Sequence, residues 1–309
     1  MTEVYELLKK ELQKNGFTVR TVSVEHVEEL KKEMAGLREQ SLLDGQFYDR
    51  HLSWMDFEWK GAMPGVRSII VVSRPQYTTL LNFAYKGKSC SVPLPPTYVY
   101  GKMRSLVEKS LSGVLSPYGY SISRTRLPAK LLAVRTGLGV YGRNNICYVK
   151  GTGSFHRLFA YYSDMPPAED DWQEVKVMPE CGKCEACVRA CPTKCIDGER
   201  FLIHADKCIT VYNENEGDFP GWFDRSWHNA IVGCMKCQWA CPQNREFAAK
   251  AEDEVGFTAG ETELILENGP LDSLPPSLKQ KLDDLDLTEY YGILGRNLAV
   301  LIGANAGLV

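Results

Sequence analysis

No run of about 18 apolar residues occurs in this chain of 309, which removes the expectation of a membrane-spanning helix. Its first residues, MTEVYELLKKELQKNGF, are charged and amphipathic and lack the apolar stretch of a secretory leader, so the chain reads as cytoplasmic. A dominant charge is missing too. Lys and Arg number 36 against 39 Asp and Glu, a net charge of -3, so no global basic field exists to hold a phosphate backbone. Nucleic acid would need a local patch. Low-complexity tracts are absent, and 44% hydrophobic with 24% charged residues excludes disorder and collagen-like repeats. The length suffices for two domains.

Cysteine, by contrast, is abundant and concentrated. Of 11 cysteines, all but Cys90 and Cys147 fall between Cys181 and Cys241, whereas a disulfide framework would spread them through a much smaller chain. Metal ligation in a reducing compartment is expected.

The rest of the chain alternates helical and strand patterns. Val4, Leu7, Leu8 and Leu12 recur at helical spacing after Thr2, a candidate cap, and Gly16 stands where that helix should stop. Strand patterns are read at 17–24, 68–72 and 120–123, helices at 25–43, 101–115 and 128–136. Residues 137–153 are rich in glycine around a strand-like 146–149, which predicts either tight turns or backbone that a ligand can approach closely. An acidic, turn-rich MPPAEDD at 165–171 suggests a boundary, and 274–302 reads as two amphipathic helices. The expected fold class is α+β, with domains at 1–165, 166–253 and 254–309, the last a short helical tail.

Cys181, Cys184, Cys187 and Cys191, followed by Pro192, spell C-x2-C-x2-C-x3-C-P, the ferredoxin spacing for 4Fe-4S clusters. Three thiolates at three-residue steps wrap one cluster while the fourth points toward a second; zinc normally takes two separated C-x2-C pairs. Cys234, Cys237 and Cys241, followed by Pro242, match the last three positions of the same motif, and Ile231 occupies the first. The missing ligand comes from Cys208 or Cys195. Cys208 is preferred, because Cys195 lies only four residues beyond Cys191 while Cys208 is on a separate segment able to return. Crossed ligation then assigns Cys181, Cys184, Cys187 and Cys241 to one cluster and Cys191, Cys208, Cys234 and Cys237 to the other. Cys90, Cys147 and Cys195 are read as ordinary buried thiols.

AVRTGLGVYGRNN (133–145), GSFHRLF (153–159), both cysteine knots and DKCITVYNEN (206–215) occur in the order seen in the epoxyqueuosine reductase family, which this chain resembles over roughly 60–245. The resemblance implies a nitroreductase-like cobalamin-binding α/β domain, akin to that of reductive dehalogenases, joined to a two-cluster ferredoxin-like domain. It also implies base-off cobalamin between that domain and the nearer cluster, and an external low-potential electron donor. Family ligation gives the same two cysteine sets. The corrin is expected against Arg135, Gly137, Gly139, Tyr141, Gly142, Arg143, Asn144 and Ser154, with Tyr141 and His156 as candidate catalytic residues. Core packing competes for the aromatic ones, Tyr98 and Tyr100 included.

Two departures from the family shape the expected substrate. Its members carry an aspartate upstream of the Gly-rich segment as proposed proton donor, yet 118–136 here contains no acid and instead offers Arg124, Arg126 and Lys130. Members acting on tRNA continue into helical repeats, whereas LGRNLAVLIGANAG resembles one such helix before the chain stops. A small, anionic substrate other than tRNA is therefore expected. The alternatives are an epoxyqueuosine reductase acting on tRNA, an electron-transfer protein that reactivates the corrinoid of another enzyme, and a carrier of clusters alone.

Overall fold

The computed structural model describes residues 2–306, with side chains from Glu3 to Gly303; the cap expected of Thr2 lies outside them. In chain order the elements are α1 (Thr2–Lys14), β1 (Thr18–Ser23), α2 (Val27–Glu39), α3 (Gly45–His51), β2 (Ser68–Pro75), β3 (Thr78–Tyr85) and β4 (Lys88–Leu94). Then come α4 (Gly101–Leu115), β5 (Ile122–Arg124), α5 (Ala129–Arg135), β6 (Val140–Tyr141), β7 (Cys147–Tyr148), β8 (His156–Ser163) and α6 (Ala186–Ala190). The chain continues through α7 (Ile209–Glu214), α8 (Lys236–Trp239), β9 (Ala251–Phe257), α9 (Ala259–Glu267), α10 (Pro276–Asp284) and α11 (Tyr291–Ala306).

Two compact units result, and they are interleaved rather than consecutive. One comprises residues 1–75, 103–185 and 197–205, the other 76–102, 186–196 and 206–309. The three-part linear division expected above misses this, because residues 76–102 fold with the C-terminal half of the chain.

The first unit is built on a four-stranded antiparallel sheet, ordered β1-β2-β8-β5. Six successive β2 residues, 68–73, are buried, which in an alternating strand means that both faces are covered. On one face Ile69, Val71 and Tyr162 pack with Val27, Leu30 and Met34 of α2 and with Leu131, Leu132 and Val134 of α5. Gly16 ends α1 as expected: at φ +74° it lets the Phe17 N–H turn back to Leu12 O.

The second unit holds a three-stranded sheet, β4-β3-β9, in which β3 and β4 form a hairpin and β9 joins parallel to β3. Lys86 and Gly87 both take positive φ, +47° and +75°, the geometry of a tight two-residue hairpin turn. Leu278 and Leu282 of α10, Ile265 of α9, and Ile293, Leu294 and Leu298 of α11 form one core with Leu81, Phe83 and Val92 of the sheet. The expected helical tail is thus the body of a domain, since its apolar faces cover the β3-β4-β9 sheet.

Candidate metal and cofactor site

Each cysteine knot is a short helix stopped by a Cys-Pro pair. α6 carries Cys187, and Cys191 closes it by donating its N–H to Cys187 O at 3.1 Å before Pro192. α8 carries Cys237 and ends before Cys241 and Pro242, which opens the turn Pro242–Asn244. Proline, with no N–H and a fixed φ, stops each helix there. α6 and α8 pack together within the second unit.

Of the two expected ligand sets, one falls within a single unit. Cys191, Cys208, Cys234 and Cys237 all belong to the second unit, while Cys181 and Cys184 belong to the first and Cys187 and Cys241 to the second. The first three members of that single-unit set share an electrostatic neighbourhood, since charge on Cys191 or Cys208 reaches Cys234. Burial pushes the Cys234 thiol up to about 11, opposed by the Asn229 side-chain N–H donating to its sulfur at 3.2 Å. Cys208 is lowered, chiefly by Cys195 and further by Thr210. Among the described residues no three His, Cys, Asp or Glu side chains gather as a cage for a single metal ion, a different geometry from that of a four-iron cube.

Cys195 is more than the bystander that the sequence suggests. It is 2% exposed, its sulfur lies 3.4 Å from that of Cys191, and it also hydrogen-bonds Cys208. Together with the Thr193 hydroxyl, the Cys195 thiol holds Cys191 down at about 5 against the upward push of burial. No spacing rule reveals this contact, because it depends on the turn at 192–194.

The Gly-rich segment meets the first knot inside the first unit. The Arg143 N–H donates to Cys181 Sγ at 3.4 Å, and its guanidinium donates to Cys181 O at 2.7 Å and to Gly198 O at 2.8 Å. Gly137, at φ +67°, ends α5 in the left-handed conformation, after which β6 and β7 pair. The other glycines make room for the chain itself. A Cβ on Gly139 would stand 2.6 Å from Cys147 Sγ and 2.9 Å from Tyr148 O, and one on Gly142 would stand 2.6 Å from Asn144 Oδ1 and from the Tyr148 ring. At Gly139 and Gly142 the chain's own atoms occupy the space that a side chain would need.

The remaining candidates are mostly engaged internally. Arg135 pairs with Glu33 at 2.5 Å and donates to Gln173 O at 2.9 Å. Asn144 is buried and donates to the Tyr148 hydroxyl at 3.0 Å; Ser154 is buried on the turn before β8. Tyr141 is 5% exposed, set edge-on to Phe201, and burial raises its hydroxyl far above the ordinary tyrosine range. His156 is 9% exposed, with Nε2 3.0 Å from Cys147 O. That nitrogen carries the proton, because a carbonyl only accepts. Burial lowers the His156 pKa to about 4, so the ring is neutral, and its Nδ1 has no partner. Tyr141 and His156 therefore flank Cys147 from inside the core.

Of the basic residues in 118–136, Arg124 has a carboxylate partner and Lys130 a backbone one. Arg124 forms a two-pronged pair with Glu108 at 2.6 and 2.9 Å, and Lys130 donates to Asn145 O at 3.2 Å. Tyr98 of the second unit donates to Glu214, and burial raises both groups. An open groove of about 570 Å³ runs along Trp239, Cys241, Pro242 and Arg245, and none of the residues expected to hold cobalamin lines it.

Comparison with known proteins bears on the cysteines first. A model of the 4Fe-4S double cluster binding domain matches residues 180–244. The epoxyqueuosine reductase of Aliivibrio fischeri is 39% identical over 137 residues, 43% of this chain and 36% of that protein. The aligned part thus spans only about a third of that relative's length. The structure of epoxyqueuosine reductase from Streptococcus thermophilus superposes with a TM-score of 0.71 at 18% identity, covering 98% of this chain and 82% of that one. An epoxyqueuosine reductase crystallised with an epoxyqueuosine-modified tRNA-Tyr stem loop superposes at 0.67 and 19% identity, covering 97% and 82%. These likenesses show the fold. Among the described residues no helix is long and apolar enough to cross a membrane.

Proposed function

We propose that this chain, which resembles the epoxyqueuosine reductases in sequence and fold and contains a 4Fe-4S double cluster domain, is a reductase that passes electrons singly through two clusters to a cobalamin. Its preferred substrate is epoxyqueuosine in tRNA. The observation that carries the reading is Arg143, whose backbone and side chain tie the Gly-rich segment to the Cys181 loop, a link that a carrier of clusters alone has no need of. When bound, cobalamin supplies the low-valent metal centre for the reductive step. The residues present fit it in part: His156 Nδ1 and Arg143 Nε are buried without partners and suit the amide groups of a corrin, whereas Arg135 and Asn144 already have theirs.

The earlier expectation of a small anionic substrate loses one of its supports, since Glu108 neutralises Arg124. The comparisons also favour tRNA, the partner of a protein with the same fold. One observation keeps a second reading alive: residues 118–136 hold no carboxylate to act as proton donor, and general-acid help is typically worth about 10²- to 10⁴-fold. The test is turnover of epoxyqueuosine tRNA by the anaerobically reconstituted, cobalamin-supplied protein, read by mass analysis of the digested nucleosides. Queuosine formation supports the tRNA reading. No product from protein that holds both clusters and cobalamin overturns it in favour of a smaller substrate or of a partner's corrinoid.

A further inference from the structure

We propose that Cys195 tunes the second cluster: as the thiol left outside the ligand set, it places its single S–H between the sulfurs of Cys191 and Cys208, a shared hydrogen-bond donor that holds that cluster's reduction potential up. The inference rests on the reading of Cys191, Cys208, Cys234 and Cys237 as ligands of a 4Fe-4S cluster.

The geometry comes from a turn. After Cys191 and Pro192 the chain reverses at Lys194, which takes φ +56° and donates its N–H to Cys191 O at 3.3 Å. The reversal returns the Cys195 sulfur to 3.4 Å from that of Cys191, and the same sulfur hydrogen-bonds Cys208 across a sequence gap. At 2% exposure Cys195 has no water to turn to. Iron-bound cysteine sulfurs carry no proton and can only accept, so the free thiol between two of them is the donor. Accepting a hydrogen bond stabilises the more negative, reduced cluster over the oxidised one, and such bonds to the sulfurs are among the factors that set cluster potentials.

The Thr193 hydroxyl, 3.4 Å from Cys191 Sγ, and the Asn229 side-chain amide, 3.2 Å from Cys234 Sγ, surround the same cluster with further donors. Cys195 differs from them in touching two ligands at once. Its loss should therefore alter the cluster without unseating it.

The experiment is an anaerobic redox titration of the full-length reconstituted protein, followed by electron paramagnetic resonance, on the unmodified chain, Cys195→Ala and Cys195→Ser. All three should hold about eight irons per chain. In Cys195→Ala one of the two clusters should titrate at lower potential, its reduced-to-oxidised ratio at the original midpoint falling roughly threefold to tenfold, the worth of one ordinary hydrogen bond. Cys195→Ser, which keeps a donor of similar size, should recover most of that shift. Unchanged midpoints in Cys195→Ala would overturn the proposal, as would loss of about half its iron, which would make Cys195 a ligand. An unmodified chain that takes up far fewer than eight irons would instead overturn the cluster assignment beneath it.

Discussion

At the scale of single residues, the two cysteine knots were legible because their information is local: three-residue steps and a following proline are written in the chain itself, and the 4Fe-4S double cluster match covers them. Arg143 was legible as a candidate but its task was not. Its bonds to Cys181 O and Gly198 O join segments 38 and 55 residues away, which no spacing rule reports. Arg143→Ala should loosen the Cys181 loop, costing roughly 1–2 kcal/mol for hydrogen bonds from a partly exposed guanidinium. Thermal unfolding of the iron-loaded protein and faster iron loss to a chelator would register it, and Arg143→Lys should not rescue, since an ammonium lacks the fork that reaches both carbonyls.

His156 gives a prediction in pH. Folded, its pKa is about 4; unfolded, it returns to the ordinary 6.5, so the unfolded chain binds the extra proton first. The penalty is absent above pH 6.5, grows as pH falls toward 4, and amounts to ~3 kcal/mol at full extent. Replacing His156 by Gln should flatten that part of the acid limb in denaturation curves taken at pH 7 and pH 4.5, whereas an unchanged slope would place the loss elsewhere.

Among elements, helices with a clear apolar stripe were readable, and α1, α4, α5 and α11 lie close to where the pattern puts them. β3 and its hairpin partner β4 were not: β3 lies between β4 and β9, and a strand paired on both edges shows its purpose only through its partners. β9 is the extreme case: four of its first residues are exposed and acidic or small, yet it pairs in parallel with β3 from more than 170 positions away. The β6-β7 hairpin was legible as a glycine cluster, whereas the close packing around Gly139 was not. Gly139→Val should cost several kcal/mol, because the new side chain meets Cys147 Sγ and Tyr148 O and overpacking of a closed core typically costs ~1–3 kcal/mol or more. Circular dichroism melts would show the loss whether or not cobalamin is added, which separates a packing role from a cofactor contact.

A gentler element-scale test lies in α9. Thr258 accepts from the Glu261 N–H at 3.2 Å while the Glu261 carboxylate accepts from the Thr258 N–H at 2.8 Å, a reciprocal cap. Thr258→Ala should cost ~1 kcal/mol in a denaturant titration and leave the iron content alone, since α9 carries no ligand.

For the molecule as a whole, the chain order conceals the division into units. Two interleaved units arise because β3 and β4, early in sequence, are completed by β9 and roofed by α9, α10 and α11. One cluster's four expected ligands, Cys191, Cys208, Cys234 and Cys237, all sit inside the second unit. The most direct test of this account is iron analysis of the anaerobically reconstituted chain beside Cys208→Ser. About eight irons should fall to about four in the variant, with the surviving cluster keeping its spectrum. Full iron retention in Cys208→Ser, or loss of both clusters' signals from the unmodified chain, would contradict it.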